Sequence, residues 1–586
     1  MTTKNAADSR QINFEGAPLV YFLALATDFD GTIAHDGVVA AETCAALEQL
    51  KTSGRRLILV TGRELPELLR IFPQAAMFDR VVAENGALLF DPETGRETLL
   101  SSPPPESFVA RLRAKAVGPI SVGRGIVASW EPHQNAVLDA IREAGLELQI
   151  VFNKGAIMIL PPGVNKASGL AAALRDLELS PHNVVAVGDA ENDHALLAAS
   201  GCGAAVANAV PAVKEMADLQ LSGDHGAGVA ELAGRMIRED AGLAPLPRHG
   251  IRIGVDRQGA DVLLTPFGGN VLIAGGSGCG KSTLATALSE RMAEKRFEFC
   301  IIDPEGDYVD LEHAVFIGTL RSPPPAGEAL KLLRDDAVNL VVNTQALHRH
   351  DRRLLAAAVL VQVGRLRQRT GRPHWLLIDE AHEVLPAKDE ASVGFADEGG
   401  TILVTAYPHA VAADALRRIA VVVAMGRDAH ETLACVAKAT GAARPTGIPV
   451  PGPGEVLVWR VASPEPPLCV KISEPAQFHR RHRGKYALGD VGSFRSFYFR
   501  GPDKAMNLPA RNLYRFIEIA DEVDDPTFEH HLRAGDYAAW FRHVIRDEDL
   551  ADEAARIARD TSLPPQESRR QIRKAVWRRY AAPAEG

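Results

Sequence analysis

Short runs of Val, Ile, Leu and Ala that end in Gly, Asp or Thr and give way to helix-period stretches recur in two long blocks, about residues 17–235 and 250–475. Strands that alternate with helices in this way can bury both faces of a sheet only if the helices cover it, so each block is expected to form a largely parallel α/β sheet. Between the blocks, residues 236–249 hold Pro245, Pro247 and a Gly at 242, a composition that starts no helix and reads as a linker. A second break falls near Ser473 to Lys485, where His479, Arg480, Arg481, His482 and Arg483 crowd together as a solvated basic stretch. Residues 485–586 are left as a small, mostly helical accessory region that begins with a short strand at Phe497 to Phe499. A chain of 586 residues is too long for one hydrophobic core, which agrees with several domains.

Composition excludes some classes. With 46% hydrophobic and 24% charged residues the chain is neither mainly disordered nor fibrous. The longest apolar stretches, Ala17 to Ala26 and Ile419 to Met425, are too short to span a bilayer, so no membrane partner is expected. Met1 to Arg10 has no secretory pattern, and the six cysteines form no C-x-x-C pair, which together point to thiols in the cytoplasm. A formal charge of -9 gives no support to a surface that wraps nucleic acid.

The first block carries carboxylates at strand ends. The apolar run Leu23 to Thr27 enters Asp28-Phe29-Asp30-Gly31-Thr32, so two acids two positions apart sit where open α/β sheets bind ligands. Charges so close call for a divalent cation. Leu57 to Val60 delivers Thr61-Gly62-Arg63, whose hydroxyl and backbone N–H suit a phosphoryl oxygen. Val184 to Val187 delivers Gly188 to Asp193, with further hard oxygen ligands, and Lys166 supplies a fixed positive charge just before the helical stretch Ala167 to Leu177. In order and placement these four motifs resemble the haloacid dehalogenase superfamily.

The resemblance implies a Rossmann-like core with an inserted α+β cap, here about residues 86–160. It also implies roles. Asp28 would attack phosphorus to give an aspartyl-phosphate, Asp30 would serve as acid and then base, and Thr61 and Lys166 would hold the phosphoryl group. Asp28, Asp30 (through its carbonyl), Asp189 and Asp193 would bind Mg²⁺, and Asn192 would orient Lys166 or the ligands. Glu84-Asn85-Gly86-Ala87 resembles the cap entrance of the Cof-type or sugar-phosphatase branch. A small phosphorylated metabolite such as a sugar phosphate is the implied substrate.

The second block holds a P-loop. Val271 to Ala274 runs into Gly275-Gly276-Ser277-Gly278-Cys279-Gly280-Lys281-Ser282-Thr283, a strand, Gly-rich loop and helix in the context that nucleotide binding requires. Backbone N–H groups there cradle phosphates, Lys281 reaches the β and γ oxygens of ATP, and Ser282 binds Mg²⁺. Trp375 to Ile378 ends in Asp379 and Glu380, an acid to hold Mg²⁺ through water and an acid to polarise the attacking water, a pairing that fits hydrolysis. Ile301 to Tyr308 and Thr401 to Pro408 resemble the acidic element and the polar sensor strand of HerA/FtsK-type ATPases, except that Ala406 stands where those proteins usually carry glutamine. That resemblance implies a homo-oligomer, such as a hexamer, in which a neighbour supplies an arginine; Arg417, Arg418 and Arg427 are candidates. Two rival readings remain at this point: a polynucleotide kinase-phosphatase, and an ATP-gated scaffold without turnover. In the C-terminal region, which resembles a bacterial domain of unknown function, His530 and His531 are expected to be structural, and the Arg-rich stretch Arg569 to Arg579 is expected to be the outer face of a packed helix.

Overall fold

The computed structural model describes residues 20–580, apart from 154, 277–278, 309–310, 335–337, 388–398, 474, 476–495, 504–505 and 546. The basic stretch at 479–485 therefore lies outside the described residues, as does Gly278. The chain divides into two compact units: residues up to 276 with 287–304 and 313–473, and residues 277–286 with 305–312 and the chain from 474 onward.

The first unit holds both expected sheets. One has eight strands, with Ala24–Thr27 between Arg56–Val60 and Val184–Gly188, all parallel. Every residue of Ala24–Thr27 is buried, because helices cover both faces and leave no solvent side for a polar residue. The strand can therefore only present chemistry at its end. Arg80–Ala83 continues the sheet in parallel, and Leu88–Asp91 and Arg96–Leu99 close that edge antiparallel. The cap follows as a four-stranded antiparallel sheet, Gln149–Asn153, Ala156–Leu160, Val127–Trp130 and Ser121–Val122, backed by helices Glu106–Ala114 and Gln134–Ala144. Register separates its faces: Ile157 and Ile159 pack with Phe108, Leu112 and Ile141, whereas Met158 and Leu160 turn the other way with Ala87 and Val164.

The other sheet has eleven strands. Seven are parallel, in the order Ile419–Met425, Asn270–Gly275, Thr401–Thr405, Trp375–Ile378, Phe299–Asp303, Asn339–Asn343 and Ala314–Ile317. Thr401–Thr405 thus lies between the strand that enters the P-loop and the strand that ends at Asp379.

Residues 236–249, expected to be a bare linker, are folded. The helix His225–Glu239 runs directly into a 3-10 turn, Asp240–Leu243, and Pro245 caps a single helical turn, Leu246–His249. Asp240 accepts the N–H groups of Tyr21 and Phe22 and pairs with Arg55, and His249 is completely buried. His249 bonds the Tyr21 hydroxyl at 2.7 Å and the Gly201 carbonyl at 2.7 Å. It belongs to a joint between the two sheets. His182 stacks on Phe297 with ring centroids 4.0 Å apart, and His374 bonds the Ser180 hydroxyl at 3.0 Å. Arg369 pairs with Glu178 at 2.7 Å. His182 precedes Val184–Gly188 and His374 precedes Trp375–Ile378, so the joint uses the ends of those strands that carry no catalytic acid.

In the second unit, among the described residues, five α-helices and a π-helical turn, Phe541–Ile545, between Leu513 and Tyr580 enclose Phe516, Phe528, Tyr537 and Phe541 beside the hairpin Phe497–Phe499 and Leu508–Ala510. His531 accepts the Arg500 N–H at 3.0 Å and pairs with Asp536 at 2.7 Å, a structural use of both ring nitrogens. Ile572, Val576 and Tyr580 are buried while Arg573 and Arg578 pair with Asp521 and Glu553, so this helix is packed on one face and charged on the other. Among the described residues no helix is long and apolar enough to cross a membrane.

Candidate active sites

Asp28 follows the central strand and is buried beside Asp189 and Asp193, which the neighbouring strand Val184–Gly188 delivers. One oxygen of each carboxylate lies within 4.8 Å of the others, all three buried. Lys166, the first residue of the helix Lys166–Asp176, reaches both Asp28 and Asp193 at 2.6 Å. Asn165 caps that helix through the Ser168 N–H, which fixes where Lys166 begins. The Thr32 hydroxyl lies 3.0 Å from Asp189 and 3.3 Å from Asp28, and the second oxygen of Asp193 accepts the backbone N–H groups of Asp189 and Ala190 at 3.0 Å.

The charges do not balance. Burial, and after it the charge of Asp193, raises Asp28 from its ordinary 3.8 to about 8 in spite of Lys166. Burial also acts against the charge of Lys166, but Asp193 and Asp28 outweigh it and hold the ammonium well above its usual range. Three buried carboxylates against one ammonium leave negative charge over, and the donors are hard oxygens. This set fits a divalent cation such as Mg²⁺.

Asp30 is placed differently. Its carboxylate turns to the Arg63 guanidinium, with contacts of 2.7, 2.8 and 3.0 Å, and Arg63 also pairs with Glu67 at 2.8 Å. Thr61 is buried at the end of Arg56–Val60, and its hydroxyl accepts the Arg63 N–H at 3.1 Å. Asn192, expected to orient Lys166 or the ligands, donates to Asn85 at 3.2 Å, which links the Asp189 loop to the cap entrance. Glu84, completely buried and at φ 54°, accepts the N–H groups of Arg124 and Gly125 and so ties that entrance to the cap. The cap's Met158 lies so close over Gly62 that a Cβ there would come within 2.7 Å of its methyl.

Sequence reasoning missed the side chains of Thr32, Arg63 and Glu84. Thr32 and Arg63 stood inside quoted motifs, and their positions two residues beyond Asp30 and Thr61 were the available signal. Glu84 stood in the quoted cap-entrance motif, but nothing there pointed to its role, because its partners are backbone groups forty residues away.

The nucleotide residues are divided between the units. Lys281, Ser282 and Thr283 open the helix Lys281–Glu294 and belong, like Asp307, to the second unit, where the Ser282 hydroxyl donates to Asp307 at 3.2 Å. A hydroxyl beside a carboxylate is a hard donor set suited to Mg²⁺. In the first unit Gly275 ends its strand, and Asp379 is buried at the end of Trp375–Ile378. Glu380 follows in the left-handed region at φ 42°, its N–H donating to Asp379 at 2.9 Å. Arg417 pairs with Asp414 within its own helical turn.

Comparison with known proteins agrees with both blocks. Residues 25–115 and 137–232 match the haloacid dehalogenase-like hydrolases, and residues 253–358 match the central domain of helicase HerA. A phosphoglycolate phosphatase of Methanothermobacter thermautotrophicus is 32% identical over 220 residues, which cover 36% of this chain and 98% of the relative. One of Methanopyrus kandleri is 29% identical over 229 residues, 36% of this chain and 96% of that protein. Phosphoglycolate phosphatase 2 of Saccharolobus solfataricus is 28% identical over 229 residues, 38% of this chain and 94% of that protein.

Proposed function

Because this chain belongs, through residues 25–232, to the haloacid dehalogenase-like hydrolases and carries a HerA-type central domain after them, we propose that it joins a phosphomonoester hydrolase to an ATP-hydrolysing domain. The observation that carries the first half is the trio Asp28, Asp189 and Asp193 around Lys166, buried at the end of the central strand. Asp28 supplies the oxygen that attacks phosphorus, and an aspartyl-phosphate divides the displacement into two easier steps. Lys166 holds Asp28 in place and offsets charge on the phosphoryl oxygens, with Thr61 and the backbone N–H of Gly62 beside them. Asp30 protonates the departing oxygen and later takes a proton from water, for which its carboxyl must leave the Arg63 fork. Asp28, Asp189, Asp193 and the Asp30 carbonyl would hold Mg²⁺, which when bound neutralises the excess carboxylate charge.

Met158 over Gly62 and the link between Asn85 and Asn192 limit the room above the phosphate, so the substrate is compact. The phosphoglycolate named for the relatives is of that size, as are small sugar phosphates. Phosphate release from phosphoglycolate, sugar phosphates, nucleotides and 5′- or 3′-phosphorylated DNA, each with and without Mg²⁺, tests this reading. Turnover of a small metabolite that needs the metal is expected; turnover of DNA ends alone would favour a kinase-phosphatase, and none of any ester would sink the proposal.

For the second half, Lys281 and Ser282 bind the ATP phosphates and Mg²⁺, and Asp379 and Glu380 serve metal and water. The site is completed by an arginine of another copy in a homo-oligomer, with Arg417, Arg418 and Arg427 the candidates. ATPase rate per subunit should rise with protein concentration, and Lys281→Ala should weaken ATP binding or hydrolysis while phosphomonoester hydrolysis persists. Full ATPase activity in a strictly monomeric protein would refute completion in trans.

A further inference from the structure

The left-handed conformation of Glu380 is one that a residue with a Cβ adopts reluctantly, and it persists only where its surroundings hold it. Those surroundings include His382. Its Nδ1 lies 3.3 Å from a Glu380 carboxylate oxygen and 3.0 Å from the Thr405 hydroxyl oxygen. Thr405 is completely buried at the end of Thr401–Thr405, and its hydroxyl also accepts the Tyr407 N–H at 3.0 Å. The Tyr407 ring meets the imidazole edge-on with centroids 5.0 Å apart.

A carboxylate only accepts hydrogen bonds, so a bare Nδ1 facing it would set lone pair against lone pair. The tautomer compatible with an ionised Glu380 carries its proton on Nδ1, where it donates to Thr405 and turns the positive end of the N–H group toward the nearby carboxylate. The imidazole, bonded to Thr405, thus stands between Glu380 and the strand that lies between the P-loop strand and the Asp379 strand. The position after Thr405 is Ala406, which has no polar group to send to the site.

We propose that His382 is the positioning residue through which the Thr401–Thr405 strand sets Glu380 for ATP hydrolysis. This rests on the reading that Asp379 and Glu380 serve an ATPase. In this role His382 acts through Glu380: it limits where the carboxylate can swing, and misplacement by about 1 Å lowers turnover by as much as ~100-fold.

The test compares wild type, His382→Ala, His382→Asn, Thr405→Val and the double variant His382→Ala with Thr405→Val, in the full chain at one oligomer concentration. Hydrolysis is followed over a range of ATP concentrations, and binding is measured separately with a fluorescent, non-hydrolysable ATP analogue. Asparagine places an amide N–H near the position of Nδ1. The expected result is a fall in kcat of about tenfold or more for His382→Ala with KM and analogue affinity within about twofold. His382→Asn should recover most of the loss, and Thr405→Val should add little in the double variant, because both residues act through one contact. Wild-type kcat in His382→Ala, a loss confined to KM or analogue binding, failure of asparagine to rescue, or losses that multiply in the double variant would each overturn the proposal. A wild type that binds the analogue and hydrolyses no ATP would instead sink the ATPase reading, and this inference with it.

Discussion

Asp28 and Lys166 are legible in the sequence because one follows the apolar run Leu23 to Thr27 at a strand end and the other stands just before the helical stretch Ala167 to Leu177. Their electrostatic consequence is not legible, since it depends on Asp193 arriving from another loop. With Asp28 raised to about 8 in the metal-free protein, the folded state keeps a proton that the unfolded state loses near 3.8. The contribution of Asp28 to the stability of the metal-free protein should therefore fall as pH rises from about 4 through 8. Added Mg²⁺ should raise the Tm more at pH 8 than at pH 5, and equal shifts at both pH values would contradict the charge imbalance. Asp28→Asn should lower phosphatase turnover by about 10³-fold or more and raise the metal-free Tm at pH 8 by roughly 2–4 °C, because an amide neither attacks phosphorus nor carries the buried charge. A variant that keeps wild-type turnover would remove Asp28 from the reaction.

The strands that carry the motifs were legible as elements, since runs such as Leu57 to Val60 and Val271 to Ala274 have one environment open to them. The folded character of 236–249 was not: a single helical turn after Pro245 has no periodicity, and what orders it is the burial of His249 among distant groups. Close approach between elements was equally hidden. Gly169 in the Lys166 helix has no room for a methyl, since a Cβ would lie 2.4 Å from Val82 and 2.7 Å from the Gly86 backbone. Gly169→Ala should destabilise by about 1–3 kcal/mol and, by pushing the helix outward, lower phosphatase kcat by about tenfold although it touches no substrate. Thermal unfolding and a kcat measurement in parallel would check both; a loss of stability with unchanged kcat would mean that the helix start does not move with its middle.

Across the whole molecule, the joint between the sheets is the feature that composition and motifs did not disclose, because its residues are scattered from Tyr21 to His374. Burial holds His182 and His249 down at about 4, and His374 well below its ordinary range, so all three are neutral in the folded protein. An unfolded chain takes up those protons near 6.5. The joint therefore contributes stability above that value that is lost as pH falls from about 6.5 through 4. Replacing His182 by Phe, which keeps the stack on Phe297, should flatten the fall between pH 6.5 and 5 as followed by denaturant unfolding; an unchanged slope would show that the protons are taken up elsewhere.

The same joint decides where the polypeptide can be truncated. A fragment that stops at Glu239 would look complete by its motifs, yet it would lack Asp240, the acceptor for the N–H groups of Tyr21 and Phe22, and would bare the rings of Tyr21 and His182. One that begins at Ile251 would leave Phe297 and His374 without their covering partners. Neither half comes away with a finished surface, so expressing them separately would trade a dry seam for two sticky ones.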